Sequence, residues 1–137
     1  MSRIIDPDSA GKERTRLTKA IVLAVRELAQ QTEPCVESRD LATFIALALE
    51  IVAETIDISV AAWEKRDYWV KADRFRMDWA WAGQLAEKMR RAVQADDWNT
   101  EAEVAALTAQ KLNKITVPAG NRLGKPWVGA WDELRKR

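Results

Sequence analysis

The sequence contains no histidine and has one cysteine, Cys35, in 137 residues. Histidine is the usual general base near neutral pH and the commonest metal ligand, so Ser-His-Asp and Cys-His catalytic groups and Glu-x-x-His metal sites are excluded. A lone cysteine cannot form a disulfide within the chain, which is typical of a reducing compartment. We interpret Cys35 as a small loop residue, although a redox role stays open. We therefore expect no enzymatic activity, no cofactor and no bound transition metal.

Long apolar runs and a marked excess of one charge are also missing. The net charge is +1 with 31% charged residues, whereas a general nucleic-acid binder is usually clearly basic. No apolar run approaches the ~20 residues of a membrane span. Residues 1–6 lack the apolar stretch of a secretory signal. We expect a cytoplasmic protein that does not enter a membrane.

Glycine and proline are sparse, with five and four copies, and apolar residues recur at helical spacing over long segments. This pattern predicts an all-α fold without strands: an antiparallel four-helix bundle with a tryptophan-containing C-terminal tail. The length indicates a single compact unit, which we divide into a bundle over residues 1–116 and a docking tail over 117–137. The predicted helices span residues 7–31, 38–65, 68–95 and 100–115.

Three polar residues are candidate caps at the starts of the first three helices, namely Asp6, Ser38 and Asp67. The turn at Arg66-Asp67 is inferred from the register of the apolar positions. Extending the stripe of the second helix would place Arg66 in the core, but the downstream stripe is displaced by one residue. One continuous helix over residues 38–95 is the alternative.

The second helix is apolar on most of its sides, which is typical of a helix inside a structure. We therefore expect it to be the central helix of the bundle, with Trp79 of the third helix among the core residues. The predicted core positions of the second helix are Leu41, Ile45, Ala48, Val52, Thr55, Ser59 and Ala62, and those of the third are Tyr68, Ala72, Phe75, Trp79, Ala82, Ala86, Met89 and Val93.

Three acidic residues, Glu50, Glu54 and Asp57, share one face of the second helix because steps of four and three align. The pair Glu54-x-x-Asp57 resembles one of the two acidic pairs with which all-α nucleotide pyrophosphohydrolases hold Mg²⁺. The other pair, Glu-x-x-Glu, does not occur in this chain. The resemblance implies a Mg²⁺-dependent hydrolase; the alternative is a solvated polar strip that faces basic residues of the first helix.

Basic residues cluster on the first and third helices and form a candidate surface for phosphate or RNA. Acidic residues are interleaved on the third helix at ion-pair spacing, as in Arg74–Asp78 and Glu87–Arg91, so a solvated, locally neutralised face is the alternative. The candidate phosphate contacts are Lys12, Arg16, Lys19, Arg74, Lys88 and Arg91.

The seven tryptophans are large apolar anchors that need a partner within or outside the chain. Trp81 points nearly opposite Trp79 and shares its side of the helix with Met77 and Leu85, which is typical of a protein interface with a basic rim. A fourth helix that packs there is the alternative.

The C-terminal tail contains the motif Pro126-Trp127-x-Gly129-x-Trp131. Two tryptophans have no use in a solvated tail, so the tail must dock, either on its own bundle or on a neighbouring molecule. We assign Trp127 and Trp131, together with the residues around Trp81, to a candidate partner interface.

Three functions are consistent with these residues. The leading hypothesis is a non-enzymatic interaction or assembly protein, either a homo-oligomer or a small subunit of a larger complex. The second is an RNA- or nucleoprotein-binding accessory bundle. In size and layout the chain is similar to small four-helix proteins of diversity-generating retroelements, which assist a reverse transcriptase, but it shares no motif with them. The third is the Mg²⁺-dependent nucleotide pyrophosphohydrolase.

Overall fold

A computed structural model describes residues 7–118 and 121–136, with side chains from residue 9 onward. Over these residues the chain is helical and contains no strand, which confirms the predicted all-α class. None of the described helices combines the length and the apolar content that crossing a bilayer requires. The helices are α1 (Pro7–Ala29), α2 (Val36–Lys65), α3 (Trp69–Gln94), α4 (Trp98–Lys111) and α5 (Ala130–Arg135).

The four long helices form the predicted antiparallel bundle. Ion pairs between α2 and α3 show the direction, because Arg90 contacts Glu50 at 3.2 Å whereas Arg76, earlier in α3, contacts Glu64, later in α2, at 3.0 Å. Helix α2 packs against each of the other helices, as expected for the central helix. Helix α4 packs against both α1 and α3, whose own backbones do not approach each other closely over the described residues.

The chain reversal between α2 and α3 lies at the predicted turn. Asp67 adopts a left-handed backbone conformation with φ of 61°, and Asp96 does the same with φ of 53° between α3 and α4. Aspartate tolerates this region better than most residues because its short polar side chain can bond locally. The expectation that Asp67 caps α3 was wrong: the N-cap is Tyr68, which makes no side-chain capping bond.

Helix α2 begins two residues before the predicted Ser38 cap. The N-cap is Cys35, whose Sγ accepts a hydrogen bond from the Ser38 backbone N–H at 3.4 Å, while Ser38 Oγ accepts one from the Cys35 N–H at 2.8 Å. This is a capping box in which cysteine takes the place usually held by serine or threonine. The sequence rule missed it because cysteine is not among the preferred N-cap residues. The candidate cap Asp6 lies outside the described residues.

The core follows the predicted stripes closely in α2 and less closely in α3. On α2 six of the seven predicted positions are buried, and Ala62 is partly buried. On α3 the alanines, Met89 and Val93 are buried, whereas Phe75 and Trp79 are half-buried and Tyr68 is exposed. Cover over α3 is therefore incomplete at its N-terminal end.

The length of α4 explains that difference in cover. Helix α4 has 14 residues and α3 has 26, so at 1.5 Å per residue they are about 21 Å and about 39 Å long. Helix α4 ends at Lys111 rather than at residue 115, because the β-branched Ile115-Thr116-Val117 run and the following Pro118 disfavour further helix.

Helix α4 lies along the C-terminal parts of α1 and α3. It lines surface cavities together with residues 22–32, at the end of α1, and residues 84–95, at the end of α3. We call the part that it covers, with residues 17–29, 36–52, 82–118 and the tail, the closed half. The remaining part, residues 9–16, 53–65 and 69–81, is the open half.

The tail docks on its own bundle. After α4 the chain crosses α1, where Arg26 Nη1 donates to the Val117 carbonyl at 3.4 Å. Helix α5 then packs on α2, and both carboxylate oxygens of Asp40 accept backbone N–H groups at its start, from Gly129 and Trp131 at 3.0 Å each. A side chain of α2 therefore caps α5. Helix α5 was not predicted, because Gly124, Pro126 and Gly129 interrupt the helical spacing of apolar residues just before it.

Candidate functional site

A row of four aromatic side chains joins α2 to α3 in the open half. Trp63 meets Phe75 edge-on at 4.8 Å between ring centroids, Phe75 lies 6.4 Å from Trp79, and Trp79 stacks on Trp81 at 5.5 Å. Trp63, Phe75 and Trp79 pack against a small second core made of Ile56, Val60 and Ala72. Large rings provide the contact area here, which partly compensates for the missing cover of α4.

Arg14 of α1 reaches into the same region. Its Nη1 donates to Thr55 Oγ1 at 3.2 Å and to Ser59 Oγ at 3.4 Å, and its guanidinium lies 4.9 Å from the Phe75 ring centroid. Burial lowers the pKa of Arg14. It therefore packs between α1, α2 and α3, unlike the exposed Lys12 and Arg16 beside it on α1.

The predicted interface residues of α3 lie on one side of the helix, with Val70 added to them. Met77 is 78% exposed and Val70 is 75% exposed, whereas Trp81 and Leu85 are half-buried against the main core. Steps of seven, four and four residues keep the set within one helical face. We call Val70, Met77, Trp81 and Leu85 the α3 outer face.

The two tail tryptophans have different environments. Trp127 is 2% exposed and belongs to the main core, which corrects its assignment to a partner interface. Trp131 is half-buried, and the guanidinium groups of Arg39 and Arg135 lie 5.0 and 6.0 Å from its ring centroid. Docking of the tail on the bundle thus buries the Trp127 side chain completely and the Trp131 side chain in part.

The candidate phosphate contacts do not form one cationic surface. Three of the six are already paired with carboxylates: Arg16 with Glu13, Lys88 with Glu103 and Arg91 with Glu87, at 2.8 to 3.0 Å. Lys12, Lys19 and Arg74 are exposed, and the expected Arg74–Asp78 ion pair does not form between these described residues. The six residues lie on α1 and α3, whose backbones do not approach each other closely over the described residues.

The three candidate Mg²⁺ ligands on α2 do not form a metal site either. Glu50 forms an ion pair with Arg90, and Glu54 and Asp57 are exposed. Across residues 7–118 and 121–136 no group of three or more cysteine or acidic side chains is placed to hold a metal ion. The Mg²⁺ hypothesis gains no support from this arrangement.

One cavity that the sequence did not predict lies in the closed half, where the start of α2 meets the turn between α3 and α4. Its volume is about 340 Å³. Arg39 lies in its wall, paired with Asp96 at 2.8 Å and close to Trp131. The lining residues are Pro34, Cys35, Val36, Ser38, Arg39, Asp96, Trp98 and Glu101.

Glu101 is the unusual member of this wall. Its residue surface is 6% exposed, yet no hydrogen bond or ion pair to its carboxylate forms within the described part of the chain. The pKa of Glu101 is raised to about 7: burial is the main cause, the charges of Asp96 and Asp97 add to it, and the Arg39 charge opposes them. A buried carboxyl group without a partner is costly to ionise, which is why its proton is retained near neutrality.

Cys35 also lines this cavity, and it is exposed. The backbone N–H and the hydroxyl of Ser38 lower the pKa of the Cys35 thiol, since both stabilise the thiolate at the start of a helix. The cavity therefore combines a nucleophilic sulfur, a proton-holding carboxyl group and the indole of Trp98. The one signal of this site in the sequence is the pair of acidic residues after α3, Asp96 and Asp97.

Comparisons with protein-family models, with curated proteins and with solved structures found no match to this chain.

Proposed function

We propose that this protein acts by association in the cytoplasm, without a catalytic step of its own, most simply as a homo-oligomer and otherwise as a small subunit of a larger complex. The observation that carries the proposal is the exposure of apolar side chains along the α3 outer face. Exposed apolar residues that occur singly are ordinary, but several of them on one face of a helix are typical of an interaction surface.

Three features of the open half support this assignment. Met77 and Val70 are largely in solvent, and Tyr68 and Trp69 at the start of α3 are exposed beside them. Trp81 has one ring face stacked on Trp79 and is only half-buried, so it offers a rigid aromatic surface. Rigid aromatic anchors surrounded by smaller apolar groups are characteristic of binding hot spots.

The charged groups around this face are suited to a protein partner. Arg74 lies among the apolar residues, and Asp78 lines the neighbouring groove beside Lys71. Both signs of charge are therefore present at the rim, which favours a surface of mixed charge over a phosphate backbone. The half-buried Trp81 and Leu85 connect the face to the main core.

The test is the solution mass of the double variant Val70→Ser/Met77→Ser over a range of concentrations. Each apolar anchor contributes ~2 kcal/mol when it fills a partner's pocket, so losing two weakens association by about a thousandfold. Because both side chains are already exposed, we expect the free energy of unfolding to change by less than about 0.5 kcal/mol. Sedimentation and urea unfolding measure the two quantities separately.

Val128→Ser is the matched control, since Val128 is an exposed valine of the tail, away from α3. It should leave both the mass and the stability unchanged. Truncation of the tail is not a suitable test, because it would remove the buried Trp127 and unfold part of the core. A wild-type protein that stays monomeric at every concentration would overturn the homo-oligomer proposal.

A further inference from the structure

The cavity at the closed end has features that the association proposal does not use. It is lined by the first turn of α2, the turn after α3 and the first turn of α4, so Cys35 and Glu101, which are distant in sequence, line the same cavity. Its volume of about 340 Å³ suits a small organic molecule rather than a protein segment.

Most polar side chains that line this cavity already have partners in the described part of the chain, but Glu101 does not. Arg39 is engaged by Asp96 and Trp131, and Ser38 is engaged by Cys35 through the capping box. The Glu101 residue is 6% exposed, it lines the cavity, and its carboxylate has no hydrogen-bond or ion-pair partner within the described residues. A carboxylate in that position attracts a ligand with a cationic N–H donor.

We propose that this cavity is a thiol-modification site, in which Cys35 forms a mixed disulfide with a small disulfide whose ammonium group is held by Glu101. The Trp98 indole lines the same cavity and offers an apolar and cation-attracting surface to the rest of the ligand. Because Arg39 is neutralised by Asp96, an anionic disulfide finds no free cation in the lining.

The reaction is thiol–disulfide exchange. The proton of the Cys35 thiol leaves to solvent, and the thiolate sulfur attacks one sulfur of the ligand. A new S–S bond forms to Cys35 while the ligand's own S–S bond breaks. The departing thiolate takes the electron pair and gains a proton from water. Cys35 is thereby oxidised, half of the ligand is reduced to a thiol, and excess thiol reverses the step.

The experiment compares two small disulfides on the intact protein, with the adducts followed by mass. Cystamine carries ammonium groups and dithiodiglycolate carries carboxylates. Each rate is divided by the rate with a peptide of residues 31–39, which has the same charged neighbours as Cys35 but no cavity. We expect the corrected rate for cystamine to exceed that for dithiodiglycolate by about tenfold, which corresponds to 1.4 kcal/mol.

Two variants assign that preference. Glu101→Gln keeps the size of the side chain and should abolish the preference for cystamine while Cys35 still reacts. Cys35→Ser should form no adduct and should stay folded, because serine is a good N-cap residue. Equal corrected rates for the two disulfides in the wild type, or an unchanged preference in Glu101→Gln, would overturn the proposal.

The pH profile of the wild type gives a readout that needs no variant. The preference for cystamine should grow from about pH 6 to about pH 8 as Glu101 ionises, since its pKa is about 7. Asp96, Asp97 and Arg39 are the other charged groups that act on this carboxylate. Titration of Cys35 affects both disulfides alike and cancels in the ratio, so a flat profile would contradict the proposal.

Discussion

The closed and open halves of this bundle are built from the same three long helices, yet they differ in how a tryptophan is used. In the closed half, Trp127 is inserted from the tail into a core that already has four helices around it. In the open half, Trp63, Trp79 and Trp81 stay partly in solvent and form a row of ring contacts with Phe75. The same residue type therefore completes one core and forms the surface of another.

The difference follows from the length of one helix. Because α4 is about half as long as α3, only the closed half receives a fourth helical wall. The tail adds a further layer to that half, since α5 packs on α2 near Asp40. The short α4 thus adds packing at one end of the bundle and leaves apolar surface available at the other.

The largest expected effect is the loss of Trp127. Trp127→Ala should lower the free energy of unfolding by ~3–5 kcal/mol, because it leaves a cavity in a fully covered core. Trp79→Ala should cost only ~1–3 kcal/mol, because part of its ring is already hydrated. Urea unfolding of the two variants measures the contrast, and equal losses would show that the two halves are equally covered.

The next effect is on the pH dependence of stability. Since the pKa of Glu101 is raised to about 7 in the folded state, the folded protein holds a proton that the unfolded chain has released. Ionisation of Glu101 at high pH therefore destabilises the folded state. The free energy of unfolding falls as pH rises from about 4.5 to about 7, by at most ~1.4 kcal/mol per pH unit, and is constant above that range.

Glu101→Gln should remove this slope and make the protein more stable at about pH 8 than the wild type. Glu103→Gln is the matched control, since Glu103 lies on the same helix but is exposed and paired with Lys88. Thermal unfolding in a series of buffers measures both. If the slope persists in Glu101→Gln, another group of the closed half is responsible for it.

The smallest effect concerns the attachment of α5. Asp40→Ala removes two hydrogen bonds to the start of α5, and should cost ~1 kcal/mol, the usual contribution of an N-cap. Asp40→Asn keeps one acceptor oxygen and should cost about half as much. Amide hydrogen exchange in residues 130–135 locates the loss; faster exchange in α4 instead would contradict this role.

Periodicity was sufficient to predict the bundle but not the ends of its helices. The turn at Arg66-Asp67 was recovered from a one-residue change of register, because that change reports which face is buried. The start of α2 and the end of α4 were misplaced, since a cysteine cap and a β-branched run act through local backbone geometry that apolar spacing does not record.

The candidate sites were harder to predict because they depend on what each side chain meets across the fold. Met77 is exposed as the helical wheel indicated, while Trp127 is buried, although both looked like free anchors in the sequence. Arg14 lies between exposed basic residues in the sequence, yet it bonds to Thr55 and Ser59 across the fold. The burial of Glu101 arises where three separate segments meet, and no local pattern signals such a meeting.

The indole of Trp127 has one further property: its Nε1–H has no hydrogen-bond partner within the described residues. All seven tryptophans lie in those residues, and Trp127 alone is buried. An indole in dry, apolar surroundings emits at shorter wavelength than one that meets water. The protein therefore carries its own optical reporter, and release of the tail would be seen as a red shift of that emission without any added label.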